Sequence, residues 1–186
     1  MKKHALLITI ILFLGTLSYA QDDLYVTEVG SIEFKSEAPL ELIQAKSKTL
    51  RGVINPATKA FAFTLNINSF QGFNSDIQRI HFLENYMEQK KFPTATFTGK
   101  LIEDIQFNTP GTYVVRAKGE LDIHGVKKER IIKGTLVIRE GSASIQTNFT
   151  VPLSDHGIAI PKIVQQKIAE QIAITVDLDF AQGSKS

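Results

Sequence analysis

The sequence contains no cysteine, so disulfide bonds and lipid attachment through sulfur are both excluded. It also lacks an interdomain linker, an internal repeat and a low-complexity tract, apart from a short polar tail over residues 182–186. Packing alone must therefore stabilise the fold. Residues 21–181 are enough for a single domain that buries a hydrophobic core.

An excess of charge of one sign is missing as well. The 186-residue chain has 21 basic and 19 acidic residues, and Lys2 and Lys3 account for the whole difference of +2. The remainder is formally neutral, with 19 residues of each sign. This balance disfavours nucleic acid or an anionic membrane surface as a partner.

The N-terminus has the pattern of a signal peptide over residues 1–20. Two lysines precede an apolar stretch at residues 5–17, and Ser18-Tyr19-Ala20 is a small-x-small cleavage site. The stretch has 13 residues, fewer than the roughly 20 of a membrane-spanning helix, and no comparable stretch follows. We therefore predict cleavage after Ala20, no stable membrane insertion, and a periplasmic or secreted protein. The alternative is an uncleaved N-terminal anchor.

Apolar and polar residues alternate with a period of two along most of the remaining chain. In one segment, apolar or small residues occupy every second position from Tyr113 to Ile123, while Arg116, Lys118 and Glu120 face the other way. Such segments bring the count to about eight strands, a number at which a closed barrel can hold one small ligand. They lie at residues 32–34, 50–54, 60–67, 97–101, 113–123, 132–138, 145–153 and 172–180.

Turn signals between these segments predict antiparallel neighbours. Asn55-Pro56, Thr109-Pro110-Gly111, His124-Gly125 and Glu140-Gly141 each separate two consecutive strands. Parallel pairing would need long crossover connections, which the sequence does not provide. The fold class is therefore predicted to be all-β, an eight-stranded antiparallel barrel.

Two helices are predicted to interrupt the strands. Ser75 with Gln78 is a capping-box signal, and the apolar residues that follow recur near helical spacing until Phe92-Pro93 stops the segment. These apolar residues are Ile77, Ile80, Leu83 and Met87. A second, short helix begins at Pro161, just before the last strand.

The residue types of an enzyme are present, but their spacing does not support catalysis. Ser154-Asp155-His156 contains the members of a serine triad, yet neighbours in a turning chain point apart, and a triad joins separate elements. His81, His124 and His156 show no metal-ligand spacing. We therefore predict no catalytic activity, no metal site and no cofactor.

The inward-facing residues of the barrel are the candidate ligand site. An apolar stripe ordinarily forms a filled core, but small residues such as Ala117 and Gly119 interrupt several stripes. Small residues within a strand indicate either a sharp bend or room for another molecule. The candidate lining is Phe61, Phe63, Leu65, Phe97, Val115, Ala117, Gly119, Leu121, Ile123, Leu136, Phe149, Ile174 and Val176.

Arg79 and His81 are the most notable polar pair on the first helix. Residues two apart on a helix do not face each other, which disfavours a catalytic dyad. One interpretation places them at a cavity mouth, in contact with the polar head group of a ligand. The other places them on a solvated helix face.

Three segments carry a resemblance to a known family. Residues 79–100, 119–136 and 149–161 resemble the YceI-like family of bacterial exported proteins, also described as polyisoprenoid-binding and lipocalin-like, and the match runs from about Leu24 to Phe180. Its most specific parts are the Phe-Pro-x-x-x-Phe stretch from Phe92 and the Gly-x-Leu-x-Ile-x-Gly-Val stretch from Gly119. The resemblance implies a lipocalin-like barrel with a helix across one opening. It also implies an apolar cavity, a periplasmic location, and a polyisoprenoid, isoprenoid quinone or fatty acyl ligand.

Three functional hypotheses follow. The first is a lipid-binding carrier, in which the barrel shields one chain lipid between membranes. The second is a non-catalytic interaction or stress-protection protein with a filled core, whose useful surface lies outside the barrel. The third is an enzyme acting on a lipid, which requires polar residues to converge on the cavity with perturbed protonation.

Overall fold

The computed structural model describes residues 24–183. The predicted signal peptide, its cleavage site and residues 184–186 lie outside this range. Within it, eight antiparallel strands form a closed barrel in chain order, and β1 pairs with β8. The strands are β1 (Tyr25–Glu37), β2 (Leu42–Ile54), β3 (Ala60–Asn66), β4 (Thr94–Leu101), β5 (Gly111–Ile123), β6 (Val126–Arg139), β7 (Ser142–Pro152) and β8 (Gln171–Gln182). The predicted fold class is confirmed.

The alternation of side chains sets the register of the barrel wall. On β5, Val115 and Leu121 are buried, whereas Arg116, Lys118 and Glu120 are exposed. A slip of one residue would reverse every one of these side chains, so burial of one face fixes the pairing. The predicted inward face of this strand is therefore the observed one.

Tight turns connect the long strands, as the sequence predicts. His124 and Gly125 both have positive φ, 55° and 71°, and together form the two-residue turn between β5 and β6. Two such residues suit the type I′ hairpin turn, whose twist matches that of the flanking strands. Gly141, with φ of 68°, serves the turn between β6 and β7.

The loop between β4 and β5, residues 102–110, closes one end of the barrel. Its Ile105 and Phe107 are buried in the main hydrophobic core. The hydroxyl of Tyr25, on β1, donates a hydrogen bond to the Phe107 carbonyl oxygen at 3.3 Å, and the two rings lie 5.2 Å apart. We call this the closed end.

A short helical segment, which we call the lid, lies across the opposite opening. It consists of α1 (Asp76–His81) and one π-helical turn (Phe82–Tyr86). The predicted start is correct, because the Ser75 side chain accepts a hydrogen bond from the Gln78 backbone N–H at 3.2 Å. The predicted extent to Phe92 is wrong, because regular helix ends at His81.

The π-helical turn also corrects the predicted apolar face of the lid. Leu83 and Met87 are buried, as expected, but Ile77 and Ile80 are 62% and 47% exposed. The Met87 backbone N–H reaches back five residues to the Phe82 carbonyl oxygen, which inserts an extra residue into the turn. Positions before and after the turn therefore lie on different faces.

The predicted second helix is a single 3₁₀ turn, Lys162–Val164. Pro161 precedes this turn as its cap and is not its first residue. Residues 162–168 form a further covering of the same opening, next to the lid. Within residues 24–183, no helix has the length and apolar character needed to span a bilayer.

Candidate functional site

A cavity of about 510 Å³ occupies the barrel between the lid and the closed end. This volume lies within the roughly 300–1,000 Å³ of typical ligand pockets. All eight strands contribute side chains to its wall, among them Ile32 of β1, Leu50 of β2, Ile132 of β6 and Ile172 of β8. The deep part of this wall is hydrocarbon, so it suits an apolar guest.

Incomplete burial inside the barrel distinguishes this cavity from a filled core. Eleven hydrophobic residues pack against the main core and yet stay only partly buried, and all of them except Tyr113 line the cavity. Their remaining exposed area faces the space inside the barrel. These ten residues are Ile32, Ile43, Phe63, Phe73, Phe82, Phe97, Ala117, Phe149, Ile172 and Ile174.

The structure places most of the predicted lining residues on the cavity wall. Eleven of them contact the cavity: Phe61, Phe63, Leu65, Phe97, Val115, Ala117, Leu121, Ile123, Phe149, Ile174 and Val176. Gly119 and Leu136 do not, and the prediction for these two is wrong.

Position 119 requires a glycine because the neighbouring strand β4 comes close to its backbone. It pairs directly with Gly99 of β4, and a Cβ atom added at Gly119 would lie 2.2 Å from the Thr98 carbonyl oxygen. The same holds in reverse, since a Cβ atom at Gly99 would lie 2.1 Å from the Lys118 carbonyl oxygen. Glycine here permits close packing of two backbones and leaves no room for a ligand.

Leu136 lies too close to the closed end to reach the cavity. It is fully buried, and its partners across the sheet are Tyr113 and Ile145. Ile138, further along the same strand, is 2% exposed and belongs to the same packed region. The apolar stripe of β6 thus begins in the cavity and ends in a filled core.

Four phenylalanines beneath the lid were missed by the sequence analysis. Phe34, Phe70, Phe73 and Phe82 line the cavity, and their ring centroids lie 5.1–5.8 Å apart in the pairs that touch. Phe34 continues the alternation of β1 and could have been included on that signal. Phe70 and Phe73 lie in an irregular polar segment, where no periodicity marks them as inward.

The cavity reaches the surface beside the lid. Of its lining residues, the four exposed ones are Ser75, Ile77 and His81 of the lid region and Lys167 of the 162–168 segment. Glu41, in the turn between β1 and β2, lines the same region. These residues form the mouth, where the wall changes from hydrocarbon to polar groups of both charge signs.

His81 and Arg79 have different positions, which answers the question left open by the sequence. His81 lies at the mouth. The Arg79 guanidinium instead donates to the Phe70 carbonyl oxygen at 3.1 Å, and to the backbone and side-chain oxygens of Asn68 at 2.8 and 2.9 Å. Arg79 therefore fastens the lid to the chain that follows β3, and it is not among the residues that line the cavity.

One polar group on the cavity wall has a pKa that departs from its ordinary value. Burial raises the pKa of the Tyr86 hydroxyl, on the cavity wall, which keeps this group neutral and unsuited to act as a base. No group of three or more histidine, aspartate or glutamate residues between positions 24 and 183 could hold a metal ion.

Residues 154–156 form a turn, as predicted. They belong to a 3₁₀ turn, Leu153–His156, and their side chains have separate surroundings. His156 is completely buried, with Nδ1 3.0 Å from the Val126 carbonyl oxygen, while Asp155 faces Arg130 at 3.7 Å. A hydrogen-bonded triad is therefore absent from this turn.

Comparison with known proteins agrees with this architecture. The family model of the YceI-like domain matches residues 28–180. A polyisoprenoid-binding domain from Saccharophagus degradans, implicated in plant cell wall breakdown, has a TM-score of 0.73 at 13% identity, over 88% of this chain and 100% of its own. No curated protein matches the chain.

Two further solved structures share the fold. Burkholderia cenocepacia BcnA has a TM-score of 0.66 at 14% identity, over 81% of this chain and 95% of its own. The Campylobacter jejuni YCEI protein has a TM-score of 0.56 at 16% identity, with all of both chains covered. At such low identities these likenesses establish the barrel fold and leave the ligand to be argued from the cavity.

Proposed function

The chain belongs to the YceI-like domain family, and on that premise we propose that it binds and carries one chain lipid inside the barrel. The observation that carries this proposal is the cavity of about 510 Å³, whose wall is hydrocarbon in depth and polar at the mouth. A ligand that matches this wall has a long apolar chain and one polar end. Polyisoprenoids, isoprenoid quinones and fatty acyl chains all meet this description.

The free energy available from such a cavity is sufficient for binding. Each CH₂ group removed from water contributes about 0.8 kcal/mol, so ten groups contribute roughly 8 kcal/mol before the cost of association. Ordering of the lipid chain is unfavourable, but the wall consists of strands that backbone pairing holds in place around the whole barrel. The protein needs no covalent step to hold its ligand, and we propose that it acts without catalysis.

One similar protein supports a polyisoprenoid as the ligand class. The Saccharophagus degradans domain is described as polyisoprenoid-binding, and it shares the barrel with this chain. The space between partly buried side chains is our reason for preferring a carrier to an interaction protein with a filled core. We further propose that the protein is exported, loses residues 1–20 and works in the periplasm or outside the cell.

Mass spectrometry of bound lipid tests the proposal. The protein is purified from its native host, and its organic extract is compared with extracts of Ala117→Phe and Ala173→Phe. Ala117 lines the cavity, whereas Ala173 is exposed on the outside of β8, so the second variant is a matched control. We expect one class of chain lipid in the wild type and in Ala173→Phe, and a much smaller amount in Ala117→Phe. Equal amounts in both variants, or no lipid in any extract, would contradict the carrier.

A further inference from the structure

Exposed aliphatic side chains are concentrated around the cavity mouth. Nine large hydrophobic side chains are exposed among the described residues, and five of them lie on the segments that surround the mouth: Leu40 (66% exposed), Leu42 (46%), Ile77 (62%), Ile80 (47%) and Ile163 (92%). We call these five residues the rim. Single exposed hydrophobic residues are ordinary, whereas a group of them around one opening indicates an interaction surface.

Hydrogen bonds hold the three segments of the rim in one arrangement. The Leu40 backbone N–H donates to the Gln166 carbonyl oxygen at 2.9 Å, which joins the turn after β1 to the 162–168 segment. The Asn74 side-chain amide donates to the Leu42 carbonyl oxygen at 2.9 Å, and the Gln78 amide donates to Glu41 at 2.8 Å. The turn between β1 and β2 is thus hydrogen-bonded to the lid region as well, and the rim is one continuous surface.

We infer that the rim docks the protein on the surface of a lipid bilayer, with the cavity mouth facing the membrane. This inference rests on the proposed function, because a guest suited to the hydrocarbon wall resides in a bilayer before it is bound. The rim is continuous with the mouth through Ile77, which belongs to both. A docked rim lets an apolar chain pass from the membrane into the barrel without crossing water.

The charges beside the rim fit a zwitterionic head-group layer. Lys162, Lys167 and Asp76 are exposed on the segments around the mouth, and Glu41 lines the mouth itself. A surface with both signs complements head groups that also carry a phosphate and an ammonium, so docking depends on apolar contact and not on a net positive charge.

Co-sedimentation with sucrose-loaded phosphatidylcholine vesicles tests docking directly. The protein is used as the cell releases it, with its N-terminus verified by mass spectrometry, because an unprocessed apolar stretch at residues 5–17 would bind vesicles by itself. The variants are Ile163→Asp and Ile80→Asp, because these two rim side chains are exposed and do not line the cavity. Ile131→Asp is the matched control, since Ile131 is 57% exposed on the barrel wall, away from the mouth.

We expect each rim variant to weaken vesicle binding about ten-fold or more, because burial of one isoleucine side chain is lost. The Ile131→Asp variant should bind as the wild type does. Vesicles with added anionic lipid should be bound to a similar extent. Absence of vesicle binding by the wild type, equal losses in rim and wall variants, or binding only to anionic vesicles at low salt would each overturn the inference.

A second measurement separates docking from the proposed function. Delipidated protein is titrated with a fluorescent fatty acid in free solution, where no bilayer is involved. Rim variants should keep the affinity of the wild type for this probe, but should take it up more slowly from vesicles. Failure of every protein to bind the probe would refute the carrier itself, whereas normal probe binding with unchanged uptake in the rim variants would refute docking alone.

Discussion

Substitution of Ala117 by leucine is the sharpest test of the empty space inside the barrel. Ala117 lies on the cavity wall, between Leu101 of β4 and Ile132 of β6 in the sheet, and its side chain is only partly buried. Leucine adds three carbon atoms at this position. If the space is open, these atoms enter it without moving the wall.

The expected magnitudes follow from that geometry. Three buried carbons contribute about 2.4 kcal/mol, and immobilising the leucine side chain costs roughly 0.5–1 kcal/mol, so the delipidated variant should gain about 1.5 kcal/mol. This corresponds to a rise in melting temperature of about 3–6 °C for a domain of this size. The same carbons exclude about three CH₂ groups of a ligand, which should weaken binding roughly fifty-fold.

Two other leucine substitutions serve as controls. Gly119→Leu should lower the melting temperature, since its Cβ atom would lie 2.2 Å from the Thr98 carbonyl oxygen and the cost of overpacking is about 1–3 kcal/mol. Ala173→Leu, on the outside of β8, should change neither stability nor binding appreciably.

The assay combines thermal melting of delipidated protein with displacement of a bound fluorescent fatty acid. The reasoning is refuted if Ala117→Leu melts as far below the wild type as Gly119→Leu does, because the space beside Ala117 would then be filled. It is also refuted if Ala117→Leu binds the probe with unchanged affinity, because the ligand would then lie elsewhere.

Three further predictions concern other parts of the chain. Arg116 holds the pKa of the Glu103 carboxyl below its usual range, through its guanidinium first and its backbone N–H second. Glu103→Gln should therefore cost about 1 kcal/mol in urea unfolding at neutral pH, and the difference from the wild type should disappear as the pH falls below the ordinary carboxyl value of 4.5. Gly125→Ala should lower the free energy of unfolding in urea by about 1 kcal/mol or more, since φ is 71° and the new Cβ atom would lie 2.3 Å from the Phe92 ring; an unchanged free energy of unfolding would show that the turn relaxes freely. N-terminal sequencing of exported protein should begin at Gln21, and a start well away from it would contradict cleavage by a signal peptidase.

The barrel could be predicted from the sequence because its strands obey a rule that is local. Alternation places every second side chain inward, and turn residues such as His124 and Gly125 fix the pairing of their neighbours. Eight strands are also a number with which a barrel can close around one small ligand. Nothing in this reasoning requires knowledge of residues distant in sequence, and the inward face was accordingly predicted well.

The exceptions depend on depth along the barrel axis, which alternation does not encode. Leu136 and Val115 show the same inward pattern, yet Leu136 lies in the packed core near the closed end and Val115 lines the cavity. Phe70 could not be predicted for a different reason. It lies in an irregular segment, where no periodic pattern in the sequence indicates which side chains point inward. Ile77 and Met87 differ in exposure because the π-helical turn between them changes the helical phase.

The two most specific family stretches meet each other in the structure, and this contact explains their residues. The Phe92 ring lies against Gly125, where a Cβ atom would lie 2.3 Å from it, and Gly99 lies against Gly119 across β4 and β5. These residues thus determine how β4 packs against β5 and how Phe92 packs against the β5–β6 turn, independently of any ligand. Ala117 is on the same strand as Gly119, but its side chain faces the cavity. A larger side chain at position 117 would therefore take up cavity volume and would not press against a neighbouring strand. The contrast between leucine at these two positions therefore separates a residue that packs the barrel wall from a residue that borders the cavity.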